Sequence, residues 1–303
     1  MTIKHISLAE PKTHKLKTMK EALKLGYNIP ESYVIIPPIQ DDFSFVSSLE
    51  DCDWLIRPSI EESRAGLRGG ICRRQQILSS VNEVLRYHGK DVQLVLQKYI
   101  HSDRAGIMLS SDEVYIECVC GAGYGLTRAG IKPAVYQIKE GNITMSVIKQ
   151  EKKYQMENAK IVENPCGEYS SLSKELLDEL IKMSNDFKNK VIEWCSKGGQ
   201  LYFLEYWNLT GTSNQAVKGR VTYVGRSGQF DILLLPNAAI SFFPDVIRSR
   251  GVIARMGGYL SHLAINCYEK RIPFVISDDD YQEGELVFLD EKEKKVIRLR
   301  NSL

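Results

Sequence analysis

A histidine directly after a serine, just behind two glycines, stands out in the run Gly257-Gly258-Tyr259-Leu260-Ser261-His262-Leu263-Ala264-Ile265. The glycine pair suits a tight loop with close backbone approach. Ser261 is a favourable helix N-cap, and residues 263–270 read as a short helix that stops before Pro273. His262 then falls in the first helical turn. There the positive end of the dipole disfavours imidazolium, which keeps the ring neutral and nucleophilic near neutral pH. The free N–H groups of that turn can also hold a phosphoryl group once it is on the ring. The chemistry this setting suits is a histidine that carries phosphate. A lone histidine at a helix start is ordinarily only packed; the residues around this one set it apart.

Three other sets of residues could serve the same chemistry. Glu193 and Glu205 are twelve residues apart with Gly198-Gly199 between them, a spacing that suits facing positions across a turn. Two carboxylates aimed at one point repel unless a cation sits between them, and Mg²⁺ takes a few hard oxygens plus triphosphate oxygens. Otherwise the pair is two surface carboxylates. Arg57 ends a buried-looking strand, where a guanidinium needs an anionic partner. That partner is either a structural carboxylate or a phosphate, whose geometry a guanidinium matches in bidentate fashion. Gly69-Gly70 can bring backbone N–H groups close to phosphate oxygens.

The pattern Gly-Gly-x-x-Ser-His-x-Ala-Ile, with Ile272-Pro273 soon after, resembles the phosphohistidine motif of the phosphoenolpyruvate-utilising enzymes. That group includes phosphoenolpyruvate synthase, pyruvate phosphate dikinase and rifampin phosphotransferase. Further matches run along the chain. Lys15, fifteen residues before Pro30, resembles the lysine that opens a helix in these dikinases; its neighbours Lys12 and Lys17 are the alternatives for that position. Arg57-Pro58-Ser59 with Glu61 and Glu62 resembles their Arg-Ser-Ser…Glu-Asp, and Gly69-Gly70 their phosphate-closing Ala-Gly loop. Gln97-Lys98-Tyr99-Ile100 followed by Ala105-Gly106-Ile107-Met108 resembles the segment lining the adenine pocket. Glu117 before Gly121-Ala122-Gly123-Tyr124-Gly125 resembles Glu-x-x-x-Gly-Leu-Gly-Glu. Val191-Ile192-Glu193-Trp194 and Leu201-Tyr202-Phe203-Leu204-Glu205 resemble Asp-Ile-Glu-Trp and Leu-Tyr-Ile-Leu-Gln.

The resemblance implies an α/β (α+β) chain with two parts. Residues 1–210 form an ATP-grasp-like nucleotide-binding domain. Residues 211–303 form a small swivelling β/β/α phosphohistidine domain, with 208–214 as the hinge. It implies ATP and Mg²⁺ as cofactors, His262, Arg57 and Lys15 as catalytic groups, and Glu193 and Glu205 as metal ligands. Lys15, Arg57, Gly69, Gly70, Gln97, Glu117 and Glu205 are the implied nucleotide-binding residues. The departures are Tyr124 for a Glu, Ala134 for an Asp, Glu205 for a Gln, and Tyr206-Trp207-Asn208 for Ala-Arg-Pro, which removes one phosphate-facing arginine. No segment resembles the acceptor-binding domain of the large dikinases. Three readings follow: a phosphotransferase acting on a small-molecule acceptor, a relay subunit that passes phosphate to an acceptor-bearing protein, or a non-catalytic ATP sensor.

Hydrophobic periodicity supplies the elements that must position these residues. Helices are expected over 14–25, ended by Gly26, over 81–87, and as a long amphipathic helix over 172–195. Strands are expected over 33–36, 54–57, 92–100, 106–109, 113–119, 201–207, 219–224, 231–235 and 274–277. Hairpins are expected over 135–148 and 286–299, and glycine-rich loops over 63–70 and 121–130.

Composition bounds the rest. With 303 residues, 43% hydrophobic and 26% charged, the chain can bury one large core or two modest ones. A net charge of +2, concentrated in neither half, leaves no footprint for nucleic acid. No apolar run approaches a membrane span and the N-terminus lacks a signal-peptide core, so no membrane association is expected. The seven cysteines are odd in number and contain no Cys-x-x-Cys pair; free thiols in a reducing cytoplasm are the expectation. Cys118-Val119-Cys120 places both thiols on one strand face, as packing rather than half a zinc site.

Overall fold

The structure, a computed structural model, describes residues 2–37, 43–60, 69–89, 92–128, 130–208, 215–226 and 228–299. Its elements follow in chain order as β1 (Thr2–His5), α1 (His14–Lys24), β2 (Ser32–Ile36), α2 (Phe43–Ser48), β3 (Asp53–Ser59), β4 (Gly70–Arg73), α3 (Ile77–His88) and β5 (Gln93–Lys98). Next come β6 (Arg104–Ser110), β7 (Val114–Cys120), α4 (Tyr124–Thr127), β8 (Ala134–Lys139), β9 (Asn142–Ser146), β10 (Lys152–Glu157) and β11 (Lys160–Pro165). They are followed by α5 (Lys174–Asp186), β12 (Lys190–Lys197), β13 (Gln200–Asn208), β14 (Ala216–Tyr223) and β15 (Phe230–Leu235). The last are α6 (Phe243–Val246), β16 (Ser249–Ala254), α7 (His262–Glu269), β17 (Phe274–Ile276), β18 (Leu286–Asp290) and β19 (Lys295–Arg298). This is the mixed α/β class expected from the sequence.

Three larger sheets carry the architecture. The first, β1-β2-β5-β3-β4, is antiparallel throughout. Leu16 and Met19 of α1 pack with Val34 and Val95, while Ile77, Val81 and Val84 of α3 pack with Ile35, Ile56 and Leu96. Adjacent strand residues face opposite sides of a sheet, so the two helices cover its two faces. The second, β13-β12-β6-β7-β8-β9, is also antiparallel and has α5 on one face through Leu176, Leu180 and Met183. The third, β17-β16-β15-β14-β18-β19, is parallel over β14 to β17 and antiparallel beyond. Its faces alternate strictly: Leu233 and Leu235 pack with Leu263 and Ala264 of α7, Ile232 and Leu234 with Val287 and Leu289. Among the described residues no strand pairing joins this third sheet to the other two.

One expected helix is wrong in extent. The helix expected over 172–195 stops at Asp186, after an N-cap at Ser173 whose side chain accepts from Leu176 N–H. Asn189 then adopts φ 59°, and the chain turns into β12. Val191 and Ile192 share no helical face: Ile192 packs toward α5 and Val191 toward the opposite side of the sheet. The β-branched residues after Asn189 thus follow a two-residue period that the helical pattern upstream concealed. The hairpin β10–β11, strand β16 and helix α4 inside the glycine-rich 121–130 segment were not expected. The loop over 63–70 is described only at Gly69 and Gly70. Glu61, Glu62 and positions 209–214 of the expected hinge lie outside the described residues.

All seven cysteines are free thiols, and Cys118 and Cys120 are both buried. Among the described residues no helix is long and apolar enough to cross a membrane.

Candidate active site

A β-bulge creates the pair of carboxylates. The hairpin turn at Gly198 and Gly199, with φ 57° and 80°, sets Lys197 opposite Gln200. Continued without a break, that register would place Glu193 opposite Leu204 and turn Glu205 to the other face. The register shifts between Glu193 and Trp194, so that Trp194 stands opposite Phe203 but Glu193 opposite Glu205. An extra residue in one strand reorients every side chain beyond it. Trp194 and Phe203 remain in the core against α5, while Glu193 and Glu205 line the same cavity.

Each carboxylate is held by different partners. Lys15, in the first turn of α1, and Arg57, on β3, both donate to Glu205 Oε2, Arg57 Nη2 at 2.9 Å. Arg57 Nη1 reaches Gln97 Oε1 at 3.4 Å, and Gln97 Nε2 donates to Ser32 Oγ at 3.3 Å. Gln97 thus locks the guanidinium from β5. Glu193 Oε1 lies 3.2 Å from His262 Nε2. Burial by itself would raise the Glu193 carboxyl, but His262, Arg57 and Lys15 outweigh it and hold it at about 2. Glu205 is likewise held low, burial being overcome by Lys15 and Arg57. Burial, with Arg57 beside it, brings Lys15 down to about 8 despite the Glu205 carboxylate.

His262 is the first residue of α7, and Ser261 Oγ caps the helix by accepting from Ala264 N–H at 3.2 Å. Its Nδ1 is buried with no hydrogen-bond partner. The glycine pair before it has two separate tasks. Gly257 takes φ 129°, beyond the reach of most side chains, and a Cβ there would lie 2.5 Å from that of Ala238. A Cβ on Gly258 would lie 2.1 Å from Glu117 Oε2. Glu117, on β7 and fully buried, accepts from Tyr259 N–H at 2.6 Å and from Leu260 N–H at 2.9 Å. Burial pushes its carboxyl up to about 7 against the pull of these two N–H groups.

The cavity, about 990 Å³, is lined from the first two sheets and from α7, and contains Lys15, Arg57, Gln97, Glu193, Glu205 and His262. Gly69 and Gly70 line it as well; a Cβ on Gly69 would lie 2.6 Å from the Ile56 carbonyl oxygen. Lys98, Tyr99 and Ile100 form part of its wall. Of the residues expected to bind nucleotide, Glu117 alone is not part of the lining and faces the Tyr259–Leu260 backbone instead. Sequence reasoning missed Met156 and Ile161, which the β10–β11 hairpin brings to the cavity. The signal was the alternation of Tyr154 and Met156 before the Asn158-Ala159 turn, where φ is 48° and 59°. Tyr124 lines the cavity with its ring 5.2 Å from that of Tyr154, and Ala134 is buried in the α5 core. Trp207, in place of an arginine, lines the cavity with its indole Nε1 buried and unpartnered.

Among the described residues no group of three or more His, Cys, Asp or Glu side chains could hold a metal ion. Glu193 and Glu205 offer two carboxylates at the one cavity. That donor set fits Mg²⁺, which commonly takes one or two carboxylates and completes its shell with water and substrate phosphates.

Residues 228–294 match the family described as PEP-utilising enzyme, mobile domain. This segment contains His262 and most of the third sheet. No curated protein matches the chain. Among solved structures, the chain is similar to the D-alanine–D-alanine ligase of Bacillus anthracis complexed with ATP, at 13% identity and TM-score 0.38, over 64% of this chain and 54% of that one. It is similar to the D-alanine–D-alanine ligase of Helicobacter pylori at 11% identity and TM-score 0.38, over 65% of this chain and 50% of that one. It is also similar to an ADP complex of purK, an N5-carboxyaminoimidazole ribonucleotide synthetase, at 11% identity and TM-score 0.38, over 68% and 47%. The chain thus spans about half the length of these structures.

Proposed function

We propose that this protein is an ATP-dependent phosphotransferase that works through a phosphohistidine at His262 and forms AMP. In this reading residues 1–210 are an ATP-grasp-like nucleotide-binding domain and residues 211–303 a swivelling phosphohistidine domain. The observation that carries it is the convergence of His262 with Glu193, Glu205, Lys15 and Arg57 at one cavity. The match of residues 228–294 to the mobile domain of PEP-utilising enzymes supports it.

The chemistry follows from what each group can do. Lys15 and Arg57, now on Glu205, are the cations that would take the triphosphate, with the Gly69-Gly70 backbone beside them. Mg²⁺ on Glu193 and Glu205 would neutralise charge on the phosphate oxygens. His262 Nε2, the nitrogen facing Glu193, is freed to attack the β-phosphorus when it leaves that carboxylate. A nitrogen–phosphorus bond forms, the bond from the β-phosphorus to the oxygen bridging the α-phosphate breaks, and AMP departs with that oxygen. The γ-phosphoryl group then passes to water or phosphate, and phospho-His262 gives the remaining group to a small-molecule acceptor. The histidine divides one hard transfer into two easier ones, and moving the 211–303 domain between sites separates them in space. The test is the nucleotide product. Incubation with ATP and Mg²⁺ yields AMP and a phosphorylated protein; ADP as sole product, or no turnover with any of a panel of carboxylate, amide and hydroxyl metabolites, counts against it.

A further inference from the structure

We propose that Glu117 is the positioning residue that seats His262 at the cavity by gripping the loop in front of it. This rests on the phosphohistidine reading above and gives Glu117 a protein partner rather than a nucleotide. Both carboxylate oxygens are used: Oε1 accepts from Tyr259 N–H at 2.6 Å and Oε2 from Leu260 N–H at 2.9 Å. Tyr115 Oη donates to Oε1 at 3.3 Å from the same strand. The receiving loop is shaped to the carboxylate, because any Cβ at Gly258 would occupy the place of Oε2.

The grip is reinforced on two sides. Leu260 and Ile265 from the His262 segment share an apolar cluster with Ile107, Val119, Leu126 and Val191 of the second sheet and its α4. Lys294, from the turn between β18 and β19, places its ammonium 4.7 Å from the Tyr115 ring centre and 4.6 Å from that of Tyr259. One cation thus bridges an aromatic ring from each side of the junction. Leu260, Ser261 and His262 are consecutive, so fixing the Leu260 amide fixes where α7 begins. From that start the imidazole reaches Glu193 at 3.2 Å. A backbone grip of this kind is indifferent to whether the ring carries phosphate. It can therefore bring the histidine to the cavity without competing for the groups that act on the nucleotide.

The test uses the full chain and two variants, one on each side of the grip. Hydrogen exchange over residues 257–261, followed by mass spectrometry, reads the Tyr259 and Leu260 amides whether or not any chemistry occurs. Glu117→Ala removes the acceptor, and Gly258→Ala displaces it while leaving Glu117 in place. Both should speed exchange of this segment at least tenfold and slow phosphoryl transfer to His262 at least tenfold. Affinity for a non-hydrolysable ATP analogue should change less than threefold, and Glu117→Gln, which keeps one acceptor oxygen, should fall between wild type and Glu117→Ala. Unchanged exchange in both variants overturns the proposal. So does a large loss of nucleotide affinity in Glu117→Ala with exchange unaltered, which would return Glu117 to the nucleotide. Faster exchange in both variants, in a protein that never takes phosphate from ATP, would uphold the grip and reject the phosphohistidine reading instead.

Discussion

Glu193 and Glu205 stand directly opposite one another on adjacent strands, yet their carboxylates have different partners: His262 for Glu193, Lys15 and Arg57 for Glu205. Two buried like charges at facing positions would otherwise be strongly unfavourable. The arrangement leaves Lys15, Arg57, Glu193 and Glu205 each paired with another side chain. Substrate would enter by exchange of partners, with the triphosphate replacing Glu205 on the two cations.

The carboxylates therefore should be indispensable for chemistry. Glu193→Gln and Glu205→Gln are each expected to lower AMP formation by about two to three powers of ten, the scale seen when a charge-stabilising group is removed from a reacting centre. Steady-state rates with saturating ATP and Mg²⁺ check this. Near-wild-type rates with both replaced would remove the metal assignment.

Arg57 is held by Glu205 and Gln97 but is still about a quarter exposed at the cavity. Arg57→Ala should abolish transfer to His262 while leaving the circular-dichroism spectrum and cooperative unfolding unchanged. A variant that fails to fold would make Arg57 a structural ion whose partner is Glu205, the other role open to it from sequence.

Lys15 offers a pH signature. Its ordinary value of 10.5 is lowered to about 8 by burial and by Arg57. The folded state is thus penalised for the charged form, fully below pH 8 and not at all above 10.5. A triphosphate would favour the charged ammonium and raise the value again, so binding between pH 8 and 10.5 should take up a proton. Calorimetry of ATP-analogue binding at pH 9, in two buffers of different ionisation heat, is expected to show uptake that Lys15→Met eliminates. Binding with no proton uptake in the unaltered protein would mean that Lys15 does not meet the phosphates.

Much of this site was legible in the sequence because its residues lie beside strong local signals. Ser261 and the glycine pair announced the start of α7, and Gly198-Gly199 the β12–β13 hairpin. Two things were hidden. The facing of Glu193 and Glu205, expected from their spacing, is produced by a bulge at Leu204 that no residue type there marks; a regular hairpin on the Gly198-Gly199 turn would set Glu193 opposite Leu204. The role of Gly258 is set by Glu117, 141 positions earlier in the chain, and a contact so distant leaves no local pattern. The overlong helix over 172–195 failed for a related reason: Phe187, Val191 and Ile192 are all buried, so burial alone fitted a helical stripe that Asn189 interrupts.

The central claim is that His262 becomes covalently phosphorylated, and the most direct measurement is labelling with ATP carrying ³²P at the β-position. A phosphoramidate survives alkali and is lost in mild acid, so the account predicts alkali-stable, acid-labile label on the unaltered protein. His262→Ala should take up none yet still bind nucleotide. Neither His5, His14, His88 nor His101 follows a Gly-Gly…Ser turn at a helix start. Unchanged labelling of His262→Ala, or label mapped to any other residue, would contradict the account.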